Sequence, residues 1–246
     1  MPHSSAARER NSGEALLPIY LGKQTSERVL AGHAERGTGE KIHAVIWLCD
    51  LRDSTSLSES MSIEKFFALL SDFFDCTAGA VIAHGGEILS YIGDAVFAIF
   101  SISRSDRPGR EACLSEERAC VTALAAARDA RTRVEALNEA RQRRGEPALE
   151  FGLAVHVGDV MYGNIGIPDR LQFTIIGAAA NEAAHLAGLC KTLGQSILIS
   201  SAFQRCFANE MTSLGFHYLR GVARAQEIFT LSDLRSKTPL LCREFS

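Results

Sequence analysis

The chain has 246 residues, of which 46% are hydrophobic and 22% charged, and its formal net charge is −3 at pH 7. This composition is typical of a soluble globular protein, and the chain is long enough for a sizeable core. The slightly negative charge disfavours a protein that binds nucleic acid through overall electrostatic attraction.

Targeting and redox features point to an intracellular location. The polar N-terminal stretch lacks the apolar core of a signal peptide, and no run approaches the roughly 18 apolar residues of a membrane span. The seven cysteines are scattered, odd in number and without metal-ligand spacing, so reduced thiols are expected. These features predict a cytoplasmic protein without a membrane span.

The N-terminal part of the chain predicts a connector, a strand and a helix. Residues 1–13 are predicted to be disordered, and residues 14–42 to form a short amphipathic connector that ends in a Gly/Thr-rich stretch. A continuous apolar run at 43–50 has the length and β-branched content of a buried strand. Over 62–84, apolar residues recur at spacings of three and four, which predicts a core-facing helix.

The middle of the chain predicts a hairpin, a long helix and two more strands. Two apolar runs within 85–100 flank Gly93-Asp94, which is typical of a tight hairpin turn. The segment 107–145 is predicted to be a helix because it is rich in alanine. It ends in an arginine cluster and Gly145, which is typical of the C-terminus of a helix. Further strands are predicted at 149–166 and 170–177.

The C-terminal part completes a sheet. The elements predicted there are a short helix at 177–189, a strand at 196–200, a hairpin from the segments 214–222 and 226–231, and a tail at 233–246. The element order predicts an α+β fold whose core is a ferredoxin-like βαββαβ unit, with a mixed, partly antiparallel sheet covered by helices. No internal repeat is present, so residues 43–232 are interpreted as one domain.

Two aspartates stand at positions where a carboxylate is costly. Asp50 is the last residue of the run at 43–50 and directly follows its apolar part, and Asp94 lies at the tip of a hairpin with apolar arms. If the two strands are neighbours, both side chains reach a common point, which suits Mg²⁺ completed by water and substrate phosphates. The spacing alone leaves open the alternative of ordinary strand-end and turn aspartates.

Four segments occur in the order and approximate spacing of a known domain: VIWLCDLRDSTSLSE, GGEILSYIGDAVFAIF, FGLAVHVGDVMYGNIG and FTIIGAAANEAAHLAGLC. Together they resemble the catalytic domain of the class III nucleotidyl cyclases. The resemblance covers about residues 43–232, and the connector at 14–42 is similar to the linker that precedes this domain in bacterial adenylate cyclases. The expected fold is therefore the class III nucleotidyl cyclase fold.

The resemblance implies an antiparallel homodimer with two active sites, each built from both chains. Asp50 and Asp94 of one chain would bind two Mg²⁺ or Mn²⁺ ions per site. Asn181 of the other chain would orient the ribose, and Thr174 occupies a base-reading position where bacterial adenylate cyclases accept threonine. The triphosphate would be held at the start of a helix by the backbone of Leu51, Arg52, Asp53, Ser54 and Thr55.

Three positions depart from the family pattern. His185 stands where the family has a transition-state arginine, and Ser90 where it has a base-reading lysine. Asp53 opens a DST sequence in place of GFT, which puts a carboxylate beside the phosphates. Candidates for the last basic phosphate contact are Arg220 and Arg224.

These features predict an adenylate cyclase of low activity that converts ATP to 3′,5′-cyclic AMP and pyrophosphate, with GTP as an alternative substrate. A second hypothesis is a catalytically impaired homologue that acts as a nucleotide-binding or regulatory dimerisation module. Its partner would be a second copy or another cyclase chain. Other classes are disfavoured, because the P-loop, HExxH and GxSxG motifs and the aromatic signature of RNA-binding sheets are missing.

Overall fold

The computed structural model describes residues 14–33, 35–102, 110–207, 211–219, 222 and 224–232. The predicted disordered stretch 1–13 and the tail 233–246 lie outside the described residues. Residues 14–21 are helical. The other elements are α1 (Lys23–Leu30), β1 (Gly39–Leu51), α2 (Ser54–Glu59), α3 (Ile63–Ala83), β2 (Glu87–Ile92), β3 (Ala95–Ser101), α4 (Arg110–Arg143), β4 (Phe151–Ile167), β5 (Arg170–Ile176), α5 (Ala178–Thr192), β6 (Ile197–Ser200), α6 (Ser201–Gln204), β7 (Met211–His217) and β8 (Gln226–Leu231).

The described strands form one mixed sheet in the order β2-β3-β1-β4-β6-β8-β7, with β5 paired to β4. The first four of these strands pair with one another in antiparallel orientation. Together with α3 and α4 they make the βαββαβ unit predicted from the sequence. Strand β6 then pairs parallel with β4, and β7–β8 close the sheet as an antiparallel hairpin. The predicted fold class is confirmed.

Strand β1 reads as a continuous apolar run because both of its faces are covered. Trp47 and Cys49 are fully buried in the cluster beneath α3 and α4, while Ile46 is fully buried in a second cluster on the opposite face. A strand that is buried on both faces has no polar side to display, so alternation is lost. Asp50, near the end of this strand, is therefore an acidic residue that directly follows a buried apolar run.

Helix α3 begins at Ser62, whose hydroxyl accepts a hydrogen bond from the Lys65 amide at 3.4 Å. By length and composition alone, this 21-residue helix would be able to cross a membrane, contrary to the expectation that no segment is long and apolar enough. In the fold it is a core helix: Leu69 and Phe73 are buried against the sheet and α4.

The opposite face of the sheet is covered by α5 and by the β4–β5 ribbon, defined here as residues 161–176. Tyr162 on the ribbon packs in the cluster with Ile46, and its hydroxyl lies 2.7 Å from both carboxylate oxygens of the buried Glu87 on β2. The connector also packs here, because the Arg28 guanidinium lies 5.0 Å from the centre of the Tyr162 ring. The ribbon therefore joins the connector to β2.

Several element boundaries differ from the predicted ones; for example, α5 ends at Thr192 instead of residue 189. Strand β1 begins at Gly39 instead of residue 43, because its N-terminal half pairs with the ribbon end of β4. The unpredicted helix α2 (Ser54–Glu59) precedes α3. Strand β7 starts at Met211, three residues before the apolar segment that marked it in the sequence, because Met211 and Thr212 pair with β8.

Candidate active site

Asp50 and Asp94 lie at the same end of the sheet. Asp50 is paired with Ala95 on β3 and with Gly152 on β4. Asp94 directly precedes Ala95, in the two-residue turn that joins β2 to β3. Partial burial and then the charge of Asp94 raise the pKa of Asp50, and hydrogen bonds from backbone amides and the charge of Arg52 partly offset this. The two carboxylates therefore repel each other when no cation lies between them.

Gly152 provides the space that the Asp50 carboxylate occupies. A Cβ atom at position 152 would lie 2.8 Å from Asp50 Oδ1, 3.0 Å from the Cβ of Cys190 and 3.3 Å from the Ala187 carbonyl oxygen. The carboxylate is therefore enclosed between β4 and the C-terminal half of α5. The sequence analysis did not identify this glycine, since only the pairing register places it opposite Asp50.

The residues around Asp50 fit a divalent cation held mainly by two carboxylates. No cluster of three or more potential metal-ligating side chains occurs in the described part of the chain. Burial first, and then the charge of Asp50, raises the pKa of the Cys49 thiol, and burial raises the pKa of Cys190 to about 12. Both sulfurs are thus protonated at neutral pH and are poor ligands. Such a site suits Mg²⁺ or Mn²⁺, which take their remaining ligands from water and phosphates.

The segment 51–55 connects β1 to α2 and is fastened to neighbouring loops. Leu51 is buried, and the Arg52 side chain is only 13% exposed. The Arg52 guanidinium donates hydrogen bonds to the Gln195 carbonyl oxygen and, at 3.4 Å, to Glu150 Oε2. The Arg52 amide donates to the Glu150 carbonyl oxygen at 2.8 Å. These contacts fix the course of the backbone beside Asp50, and Ser54 and Thr55 then begin α2.

Asp53 adopts the left-handed conformation, with φ of 53°. Glycine takes this conformation without strain and aspartate tolerates it, which explains why the family sequence GFT and the DST sequence of this chain both suit the turn. The Asp53 carboxylate lies 2.5 Å from the Nζ atom of Lys191 in the last turn of α5. Sequence reasoning missed Lys191, because 138 residues separate the two partners.

Asn181 and His185 lie one turn apart on α5 but differ in exposure. Asn181 is exposed, whereas His185 is half-buried and its Nδ1 atom is buried without a hydrogen-bond partner among the described residues. Asn181 precedes Ala187, whose carbonyl oxygen is close to Gly152, by six positions, which is about 9 Å along a helix axis. Within the described part of the chain, no hydrogen bond or ion pair joins Asn181 or His185 to either aspartate.

The two predicted base-reading residues lie on different strands, Ser90 on β2 and Thr174 on β5. Ser90 is half-buried in β2 opposite Phe97, next to a β-bulge. Thr174 is opposite Gly163 in the ribbon and lines a cavity of about 220 Å³ that includes connector residues and neither aspartate. Of the candidates for a last phosphate contact, Arg224 is exposed and Arg220 lies outside the described residues. The structure thus groups Asp50, Asp94 and the segment 51–55, and separates them from Thr174 and Asn181.

Comparison of the sequence with known proteins finds relatives among bacterial adenylate cyclases. No family model matches the chain. Adenylate cyclase 1 of Rhizobium meliloti is 33% identical over 185 residues, which is 75% of this chain and 26% of that protein. Adenylate cyclase of Anabaena cylindrica is 33% identical over 171 residues, covering 70% of this chain and 32% of that protein. The chain therefore spans about a quarter to a third of the length of these relatives.

Solved structures share the fold at lower sequence identity. A bacterial light-regulated adenylyl cyclase covers 94% of this chain, which covers 64% of that protein, with a TM-score of 0.77 and 21% identity. The adenylyl cyclase CyaB from P. aeruginosa covers 81% of this chain and is itself covered to 98%, with a TM-score of 0.69 and 22% identity. The described residues have the class III nucleotidyl cyclase fold, as predicted. Within that class, the sequence resembles the catalytic domains of bacterial adenylate cyclases, as predicted.

Proposed function

We propose that the chain is an adenylate cyclase that converts ATP to 3′,5′-cyclic AMP and pyrophosphate. The observation that carries the proposal is the pair Asp50 and Asp94 at one end of the sheet. Beside them lies the segment 51–55, which hydrogen bonds of Arg52 hold in place and which leads into α2. The sequence similarity to proteins named adenylate cyclase supports the same reaction. We also propose the division into a connector at 14–42 and a catalytic domain at 43–232, and a cytoplasmic location.

Asp50 and Asp94 would hold two Mg²⁺ or Mn²⁺ ions, whose binding relieves the repulsion between the carboxylates. When bound, such ions activate the attacking 3′-hydroxyl and neutralise the phosphates. The chain itself contributes positioning: the backbone of the segment 51–55 faces the triphosphate, and Arg52 holds that backbone in place through Gln195 and Glu150. Charge that develops on phosphorus is stabilised by preorganised donors, a role we assign to Asn181.

A complete site requires a second chain in this proposal. Asn181 is exposed, and its side chain makes no hydrogen bond among the described residues. It lies about 9 Å along α5 from Ala187, whose carbonyl oxygen is close to Gly152. An exposed donor so placed is available to the aspartates of a partner. We therefore propose a homodimer with two shared sites, and a heterodimer with another cyclase chain as the alternative assembly.

The substitution at His185 accounts for the low activity that we propose. Arginine would bring a permanent charge and a forked set of donors, whereas histidine is shorter and mostly neutral near pH 7. The Nδ1 atom of His185 is buried without a partner in the described residues, which leaves only Nε2 to act as a donor. Loss of one such donor costs about 10²–10³ in rate.

Base selection rests on Ser90 and Thr174 in this proposal. Both side chains are neutral and half-buried, and each offers one hydroxyl that donates or accepts a hydrogen bond. ATP is the proposed substrate because the sequence relatives are named adenylate cyclases, and GTP is the alternative. The same substitutions favour a second candidate function, a nucleotide-binding or regulatory module with little turnover.

The proposal is tested by assaying purified chain for cyclic AMP and cyclic GMP with Mn²⁺ and ATP or GTP. Asp50→Asn and Asp94→Asn keep side-chain size and remove the charge, so each should reduce product formation at least a hundredfold. Asp159→Asn is the matched control, because Asp159 pairs with Lys41 and His43 away from the site. Equal activity of all three variants contradicts the proposal. Metal-dependent nucleotide binding without any product supports the second candidate function.

A further inference from the structure

Two cysteines that the proposed reaction does not use lie against each other on the helical side of the sheet. Cys120 is fully buried in α4, and Cys206 is partly buried two residues after the end of α6. Their Sγ atoms are 2.7 Å apart, although 86 residues separate them in the sequence. The pair belongs to the core cluster under α3 and α4, on the face opposite α5.

The separation between these sulfurs is well inside the contact distance of two unbonded sulfur atoms. A disulfide bond measures about 2.05 Å, so the pair must close by well under 1 Å to form one. No other two described cysteines are recorded in sulfur contact. The more exposed member, Cys206, is also 3.7 Å from Glu116 Oε1, which accepts its thiol proton in a weak hydrogen bond. Oxidant therefore reaches Cys206 first, and Cys120 is the buried partner.

We propose that Cys120 and Cys206 form a reversible intramolecular disulfide when the protein meets an oxidant of the peroxide class. The Cys206 sulfur attacks the peroxide, is oxidised to a sulfenic acid and releases one water. The Cys120 sulfur then displaces the sulfenic oxygen as a second water, so two thiols and one hydrogen peroxide give one disulfide and two waters. A thiol reductant reverses the step.

The bond would fasten α4 to the segment between α6 and β7. Helix α4 packs on α3 and on the sheet, whereas α6 follows directly from β6 and leads toward the terminal hairpin. At this point these two parts are in contact through side chains: Cys206 and Phe207 pack against the cluster, and Cys206 makes the weak hydrogen bond to Glu116 of α4. The modification therefore joins the βαββαβ unit covalently to the C-terminal extension of the sheet.

The test is a peptide map of the 246-residue chain, treated with hydrogen peroxide and then alkylated. Trypsin should release Cys120 in residues 119–128 and Cys206 in residues 206–220, while Cys113 falls in a separate peptide, residues 111–118. The expected result is one linked pair, 119–128 with 206–220, that loses two hydrogen atoms and disappears after dithiothreitol. Two of the seven thiols are lost, and five remain.

Variants sharpen this test. Cys120→Ala and Cys206→Ser should each abolish the linked pair, and agreement between them guards against misfolding of the buried variant. Cys76→Ser, on α3 and also partly buried, is the matched control and should keep the link. Recovery of both peptides unlinked, or a link from 206–220 to residues 111–118, would overturn the proposal.

Discussion

At the scale of single residues, Gly152 sets the space available to Asp50. The space that a side chain at position 152 would need is taken up by the Asp50 carboxylate and by atoms of Cys190 and Ala187 on α5. Any larger residue must displace the carboxylate or the helix. Gly152 therefore matters to the metal site proposed at Asp50, although nothing in the sequence around the glycine indicates it.

We expect Gly152→Ala to lower cyclic AMP formation at least about tenfold and to raise the Mn²⁺ concentration needed for half-maximal rate. The reason is that its Cβ atom would lie 2.8 Å from Asp50 Oδ1, and misplacement of about 1 Å in an active site costs up to a hundredfold. Gly188→Ala on α5 meets no atom within 4 Å and should leave the metal dependence unchanged. Equal metal dependence in both variants would show that Asp50 does not need this space.

Lys191 compensates the negative charge that Asp53 places in the segment 51–55. The ion pair is largely exposed, with 70% and 57% of the two side chains accessible, so its contribution to folding stability is small. Its expected effect is on substrate: an unpaired carboxylate in the segment 51–55 repels a triphosphate at close range. The lysine also suits the C-terminal turn of a helix, where a cation complements the dipole.

We expect Lys191→Met to raise the KM for ATP roughly threefold to tenfold while kcat changes less. Asp53→Asn keeps the left-handed conformation without the charge, so the double variant should return KM to near the original value. Lys41→Met, which breaks a separate exposed ion pair with Asp159, serves as control. If the double variant has a KM for ATP as high as that of Lys191→Met alone, Lys191 does not act by compensating the charge of Asp53.

At the scale of elements, a buried polar contact joins the β4–β5 ribbon to β2. Tyr162 donates its hydroxyl proton to Glu87, whose pKa is raised by burial and lowered in part by this bond and by Arg28. A buried carboxylate that loses its donor keeps its desolvation cost. The contact therefore controls how firmly the ribbon and the connector pack on β2.

Tyr162→Phe should destabilise the fold by about 1–3 kcal/mol, measured by urea unfolding at pH 7. Tyr91→Phe is the control, because Tyr91 is half-exposed and contacts Phe74 through its ring, and it should change stability by less than about 0.5 kcal/mol. If the two variants are equally stable, the Glu87 contact does not anchor the ribbon.

His156 in β4 makes stability depend on pH. It is 5% exposed, and burial lowers its pKa below the ordinary value of 6.5, against an opposing contribution from Glu182 and further lowering from His43 and Arg205. A lowered pKa means that the unfolded chain binds a proton that the folded chain does not. Stability from this group is therefore constant above about pH 6.5 and falls as the pH drops below it.

His156→Gln should flatten the fall in unfolding free energy between about pH 6.5 and 5. His33→Gln, at an exposed position of the connector, should not change that slope. Unfolding curves collected across this range provide the measurement. A slope that stays the same in His156→Gln would assign the acid sensitivity to other groups.

At the scale of the whole molecule, local patterns in the sequence predicted the elements well. The buried run before Asp50, the Gly93-Asp94 turn and the helix beginning after Ser62 all lie where expected, because strand, turn and helix signals are local. The fold class and the resemblance to class III cyclases are confirmed by the topology and the comparisons. The roles assigned to individual site residues stay predictions.

What the sequence did not predict depends on contacts between distant residues. The start of β1 at Gly39 follows from pairing with β4, and the contact of Lys191 with Asp53 follows from where α5 ends on the sheet. The space at Gly152 depends on register. The difference in exposure between Asn181 and His185 depends on how α5 packs. None of these quantities is encoded in a window of neighbouring residues.

The central claim is an adenylate cyclase whose active sites are shared between two chains. Its most direct test mixes two inactive variants, Asp50→Asn and Asn181→Ala, after each has been shown to fold and to form dimers. In a mixed dimer, one site combines the intact aspartates of one chain with the intact asparagine of the other. Random exchange therefore predicts recovery of up to about a quarter of the original cyclic AMP formation. A mixture that exchanges chains yet stays as inactive as its components would contradict the shared site.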